Sequence, residues 1–438
     1  MAAATLNLST NLRDAAKARA EKQAFFWLSA FFLVYCGRPE DWIPGLFYIP
    51  LAKITGIAAL WGLYKIGGLK SRVLRNLPIE STYLLSLIGI FYLSGFLSPI
   101  WRGGAISHAI DFSKSYVVWL MTYLLVTDFK KFRRIVFIQA ACVAVIAFVS
   151  VAKGYNTPRL EGVLGGIYGN PNDLAFSIVL CLPFNLAFLL SARRVTSKLL
   201  WFAGMIMMLV ALLMTASRAG FVDLIVSGAV CLWHFGIRGK RIYLIVTTLL
   251  LSLLLMVAVG KKLEQRLAAS TGDSQDVAED KEAYESLEAR KYLMARAIEG
   301  MEHYPILGIG IDNFIMYSGV WHVVHMSYLQ IGVEGGIPAL VLYLLFFSRG
   351  FANLRKLREM GWLDPETTLF VGALHSSLIG FVVGALFAPE AYQFFPYFSV
   401  AFTSALLAIA TRHAPVAYAK PLRLNSMGRL QAENYASS

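Results

Sequence analysis

The chain is 438 residues long, 57% hydrophobic and 15% charged, with a formal net charge of +13. Soluble domains carry roughly 25% charged residues, so a string of two or three soluble domains is excluded as the main architecture. Mean hydropathy is +0.59, and bilayer-length apolar stretches account for most of the chain, which points to one helical membrane domain.

Twelve apolar stretches follow one another at about 23–37, 46–65, 80–99, 105–126, 135–152, 173–192, 199–216, 219–237, 242–260, 326–348, 367–388 and 394–411. A bilayer helix needs roughly 17–25 residues, so the first is short. It follows a 22-residue polar, basic tail and lacks a small-residue cleavage site, and it reads as a retained span rather than a signal peptide. The seventh and eighth stretches are separated only by Ser217-Arg218, which predicts a tight helical hairpin. Cys36, Cys142, Cys181 and Cys231 all fall inside apolar stretches and read as small packing residues, not disulfides or zinc ligands. The division is thus nine spans over 1–260, an extramembrane segment over 261–325, three spans over 326–411 and a tail over 412–438.

Lysine and arginine set the orientation. Twenty-six of the 40 lie on the amino-terminal tail, on every second connection and on the carboxyl tail. Twelve lie on the opposite side, and Lys53 and Lys114 lie within spans. The positive-inside rule then puts both termini in the cytoplasm and 261–325 outside. Basic runs facing anionic membrane lipid also explain the net charge without any nucleic-acid partner.

The basic residues stranded on the outer side are the informative ones. Lys53 lies near the outer end of the second span. Asp111 and Lys114 lie one turn apart in the outer half of the fourth, where they either neutralise each other or face a substrate. Arg159 and Glu161 precede Gly165-Gly166-Ile-Tyr168-Gly169-Asn170-Pro171-Asn172-Asp173-Leu174-Ala175, a capped helix start with Asn172 or Asp173 as cap. Arg218 sits between two spans with no loop to carry it into water, at the amino end of the eighth helix. An arginine beside free helical N–H groups makes a phosphate site, though it also reaches a lipid headgroup.

Residues 261–325 begin with a polar part (Asp273, Asp276, Glu279, Asp280, Glu282) that reads as solvated. A helix is predicted over about 282–303, with Leu287, Met294, Ile298 and Met301 on one face. Arg290 falls at the edge of that face, and Arg296 points the other way. An inward Arg290 needs an anion; the alternative is snorkelling to lipid phosphates. Pro305-Ile-Leu-Gly308-Ile-Gly310-Ile-Asp312 suggests a tight turn with exposed backbone N–H groups. It leads to His322-Val-Val-His325-Met-Ser327-Tyr328, where an imidazole at the outer membrane surface either takes a proton or simply hydrogen-bonds at the interface.

Other chemistries lack their signatures. The sequence has no P-loop, no dinucleotide-binding fingerprint, no H-E-x-x-H and no paired-cysteine metal site. Glu40-Asp41 in the first outer connection are neighbours rather than spaced ligands, so no metal or cofactor is expected. Transporter-like internal repeats are not evident.

Thr215-Ala-Ser217-Arg218-Ala-Gly220, then Arg290 before Pro305…Gly308-x-Gly310, then His325-x-Ser327-Tyr328-Leu329 with Glu334 and Gly336, resemble the O-antigen ligase family. Gly169-Asn170-Pro171-Asn172-Asp173-Leu174-Ala175 is similar to another of its recurrent motifs. The family often carries a polar residue where Met326 stands, which keeps His322 beside His325 as a candidate. The superfamily also holds O-antigen polymerases and protein O-oligosaccharyltransferases. The resemblance implies an all-α, GT-C-like protein of the bacterial inner membrane, with about 12 transmembrane helices and one large periplasmic loop containing an amphipathic helix. It further implies a glycosyltransferase that moves a glycan from undecaprenyl diphosphate to a sugar hydroxyl of lipid A–core, without metal and with inversion. His325, Arg218 and Arg290 would be catalytic, and Lys53, Lys114, Arg159, Asn172, Tyr328 and His322 would contact substrate. A lipid-linked oligosaccharide transporter is the rival of another class. It should spread charge through the membrane depth, whereas here the stranded charges gather on the outer half.

Overall fold

The computed structural model describes residues 2–43, 45–154, 159–162, 166–250 and 277–414. Among them every regular element is helical. The long helices are α1 (Ala2–Gly37), α2 (Leu51–Lys65), α3 (Ile79–Leu97), α4 (Arg102–Leu125), α5 (Phe129–Gly154), α6 (Pro171–Ser191), α7 (Val195–Thr215) and α8 (Arg218–Cys231). The last of these continues as a π-helical stretch over Leu232–Arg238. Residues 242–250 form α9, followed by α10 (Val277–His303), α11 (Ser327–Glu359), α12 (Pro365–Gly384) and α13 (Phe394–Arg412).

Eight helices among the described residues are long and apolar enough to cross a membrane, which marks a polytopic membrane protein. The other four expected spans coincide with α1, α2, α4 and α9. The 15 residues of α2 reach only about 22 Å at 1.5 Å per residue, short of a hydrocarbon core of about 30 Å. Helix α4 carries Arg102, Asp111 and Lys114. The end of the ninth expected span (251–260), the acidic stretch with Asp273 and Asp276, and the tail beyond 414 lie outside the described residues.

The polar tail before the first span is helical, continuous with the apolar part of α1. Two expectations need correction. Helix α10 starts at Val277, so Glu279, Asp280 and Glu282 lie inside it rather than in a loop. The turn between α7 and α8 is tight, but the helices diverge: α7 packs on α5 and α6, whereas α8 packs on α6 and α12. Ala216, at φ 48°, ends α7 in a left-handed residue and redirects the chain within one position.

The connections expected outside all meet at one end of the bundle. Tyr168 Oη donates to Cys36 O at 2.7 Å, Ser98 Oγ to Ile309 O at 2.6 Å and Ser327 Oγ to Ala388 O at 2.7 Å. The opposite end is tied by Arg133–Glu366 at 2.6 Å and by Asn353 Nδ2 donating to buried Glu80 Oε1 at 2.6 Å. Polar groups buried between apolar helices are costly unless paired, so these ties fix which helices are neighbours.

A kink in α11 positions the extramembrane loop. Pro338 has no N–H, and Ile337 N donates to Pro305 O at 2.7 Å instead of to its own helix. That leaves the carbonyls of Val333 and Glu334 free. Ile309 N (2.9 Å) and Gly310 N (3.0 Å) take them. Gly336 at φ 77°, ψ 177° makes the kink possible. A Cβ on Gly308 would lie 2.5 Å from the Glu334 carbonyl carbon. The Gly308-x-Gly310 segment is therefore a docking device against α11. Its N–H groups are spent on helix carbonyls and are not exposed to an anion, contrary to the expectation from sequence.

Candidate active site

The site grows from the amino ends of α6 and α8. Asn170 caps α6, its Oδ1 accepting from Asn172 N at 2.8 Å. The cap is thus Asn170, not Asn172 or Asp173, because a cap must precede the helix and accept from a donor two or three residues on. Ser217 caps α8, accepting from Gly220 N at 3.1 Å, and donates to Asn172 Oδ1 at 2.7 Å. The two helix starts are stapled side by side, and their unsatisfied N–H groups present partial positive charge together. Arg218 is the first residue of α8 and is exposed at this junction.

Arg290 reaches the same place from α10. The buried face of that helix is Leu293, Ala297 and Gly300, at steps of four and three, and Arg290 precedes Leu293 by one turn. Met294 and Ile298, expected to face inward, are 41% and 47% exposed. The phase drawn from hydrophobicity was therefore rotated. Apolar side chains at a membrane boundary gain as much facing lipid as facing protein, so hydrophobicity does not mark the interior there. Arg296 lies elsewhere: it pairs with Glu299, donates to Tyr317 O at 3.2 Å and covers the Tyr317 ring. It is not a free solvent-facing residue but a tie between α10 and the short Phe314–Tyr317 helix.

Burial, and the Arg218 charge beside it, lower the Arg290 pKa from its usual value. Among the described residues neither arginine has a carboxylate partner. Two like charges held together without a counter-ion make a site for an anion, and a planar fork suits phosphate. His325 completes the cluster. Burial first, then Arg290 and His322, push its imidazole down to about 4, so it stands neutral at physiological pH. His322 is exposed, with Nδ1 2.7 Å from Val320 O.

The other expected contacts are distributed unevenly. Arg159 Nε donates to Thr215 O at 3.2 Å, which docks its segment beside the α7–α8 turn. Tyr328 Oη donates to Val382 O at 2.8 Å and so ties α11 to α12. Lys53 is exposed on α2, and no described contact joins it to the arginines. Lys114 pairs with Asp111 and lines a separate cavity.

Two groups were missed from sequence. Glu390, between α12 and α13, is 4% exposed, and its backbone N–H donates to Ser327 Oγ at 2.9 Å. Burial and the neighbouring Asp173 push its carboxyl well above the usual range. His108 Nε2 lies 3.1 Å from Asp312. Its signal was available: His108, Asp111 and Lys114 recur every three residues along one helix face.

Residues 203–344 match the O-antigen ligase family. The match runs from α7 into α11 and spans Arg218, Arg290, His322, His325 and Tyr328. It supports the resemblance read from the motifs and aligns this region with the ligase and polymerase superfamily. Comparison with curated proteins returns no match. A solved structure of a peptidoglycan synthase complex is similar at 13% identity and a TM-score of 0.40, covering 76% of this chain and 96% of that one. A likeness that distant carries no argument about this site.

Proposed function

We propose that this protein is an O-antigen ligase. It takes a glycan from undecaprenyl diphosphate and passes it to a sugar hydroxyl of lipid A–core at the periplasmic face of the bacterial inner membrane. The observation that carries this reading is the convergence of Arg218, Arg290 and neutral His325 at one end of the bundle, within the family-matched region.

The chemistry follows from the groups. Arg218, Arg290 and the paired helix starts bind the diphosphate. They stabilise the charge that grows on it as the bond from the anomeric carbon to the phosphate oxygen breaks. The acceptor oxygen forms the new bond to that carbon, its proton passes to His325, and the diphosphate leaves with the electron pair. Attack from the face opposite the leaving group inverts the anomeric centre. The activated glycosyl bond supplies the driving force, so neither nucleotide nor metal is invoked. Both termini are cytoplasmic in this reading, and α10 lies outside.

Deleting the gene and displaying lipopolysaccharide on a gel tests the reading. Loss of the long-chain ladder, with lipid-linked glycan accumulating, is expected, with rescue by the wild-type gene and not by Arg218→Ala. Core capped with a single repeat would instead indicate a polymerase. An unchanged lipopolysaccharide with altered protein glycosylation would indicate an O-oligosaccharyltransferase. Lipid-linked glycan trapped on the cytoplasmic leaflet would indicate a transporter.

A further inference from the structure

A cavity opens at the same end of the bundle, lined by Tyr35, His108, Asp111, Phe112, Lys114, Ile311, Asp312, Tyr392 and Phe394. Its volume is ≈ 360 Å³, within the roughly 300–1,000 Å³ of ordinary small-molecule sites. None of its lining residues belongs to the Arg218–Arg290–His325 cluster.

Its wall has two chemistries. One side is aromatic: Tyr35 and Phe394 stack at 5.1 Å between ring centroids, with Tyr392 and Phe112 edge-on to each other at 5.5 Å. The other side is charged and accessible. His108 and Asp312 keep 43% and 28% of their side-chain surface, and Lys114 and Asp111 keep 52% and 58%. Asp312 is held at φ 59°, a left-handed conformation uncommon for residues other than glycine, asparagine and aspartate. The loop docked on α11 fixes that conformation and so aims a carboxylate across to α4. Two carboxylates face one lysine and one histidine, so the cavity does not select an anion as the arginine cluster does. It offers carboxylates that accept from hydroxyls, a histidine and a lysine that donate, and flat apolar faces.

We propose that this cavity is a binding subsite for a pyranose ring of one of the two glycan substrates, with His108 and Asp312 hydrogen-bonding its hydroxyls. The inference rests on the ligase reading, since it supplies the sugar specificity that the diphosphate site lacks. Carboxylate, imidazole and ammonium groups facing flat aromatic rings suit a pyranose, whose hydroxyls pair with the polar wall while its C–H face lies on the rings.

The test uses the purified full-length protein with two probes: free glycan released from the lipid-linked donor, and core oligosaccharide released from the lipid acceptor. Binding of each is titrated calorimetrically for wild type, His108→Ala and Asp312→Asn; asparagine tolerates the same backbone conformation, so the second variant keeps the fold. Thermal unfolding checks all three. The expected result is about tenfold weaker binding of one probe in both variants, a charge-assisted hydrogen bond's worth, with a matching rise in KM for the parent substrate and kcat within about twofold. Whichever probe responds identifies the donor or the acceptor as the source. Wild type that binds either glycan with affinity unchanged in both folded variants overturns the subsite, as does wild type that binds neither. Wild type that binds a glycan through His108 yet transfers nothing keeps the subsite and sinks the ligase reading instead.

Discussion

The protonation of His325 gives the sharpest test of the proposed chemistry. An unperturbed imidazole titrates near 6.5, which on sequence alone sets the acid limb of the rate there. In the folded protein burial, Arg290 and His322 bring it to about 4. The folded pKa is lowered, so the neutral base persists as pH falls through 6.5 and is lost only near 4. At pH 5.5 roughly 97% of His325 would be neutral, against roughly 9% of an ordinary histidine, so the two cases differ about tenfold in kcat/KM. The assay is initial-rate transfer by purified enzyme between pH 4.5 and 8, with donor varied at fixed acceptor. kcat/KM, which reports free enzyme, should stay flat to below pH 5.5. Bound diphosphate opposes the Arg290 charge, so the limb in kcat should lie at higher pH than the limb in kcat/KM. His325→Ala should lower the rate about 10²–10⁴-fold and abolish both limbs. A kcat/KM that halves near pH 6.5 would refute the depressed imidazole. A His325→Ala enzyme with an unaltered profile would remove His325 as the base and turn attention to His322.

Four further outcomes are expected. Arg218→Ala and Arg290→Ala should each cost on the order of 10²–10³ in kcat, with lysine restoring only part, because lysine lacks the planar fork; equal activity of the alanine and wild-type enzymes would disprove diphosphate binding there. Gly336→Ala should destabilise by about 1–3 kcal/mol in thermal unfolding, because its Cβ would meet Ile306 O at 2.4 Å, whereas Gly89→Ala, with nothing within 4 Å, should be neutral or better. Ser217→Ala should cost about 0.5–2 kcal/mol as a lost cap, and it should lower transfer further because the Asn172 staple beside Arg218 goes with it. A cysteine at Glu302, which is exposed on α10, should react with impermeant reagent from the periplasm in intact cells; labelling only after lysis would reverse the orientation.

Much of the fold was legible in advance because helix length, apolarity and alternating basic loops are local, one-dimensional quantities. The spans at α3, from α5 to α8 and from α11 to α13 fall where those quantities put them. The arginine at the α7–α8 turn was legible for the same reason, since a charge without a loop stands out against apolar neighbours. The phase of α10 was not. Lipid and protein interior are equally apolar, so Met294 and Ile298 gave no sign that Leu293 and Ala297 were the buried pair. The Gly308-x-Gly310 segment misled because its partner lies about 25 residues away, in carbonyls that exist only once α11 kinks.

Sequence by itself therefore determined the class, the position of eight membrane-length helices and the identity of Arg218, Arg290 and His325 as residues out of place. Tertiary structure decided which of them meet. It joined two helix starts through Ser217 and Asn172, brought Arg290 to Arg218, set His325 neutral, and placed His108 against Asp312. Each of these is a contact between segments distant in the chain, and its energy comes from burial and from neighbouring charge. Those are properties of the assembled bundle and of no single stretch of it.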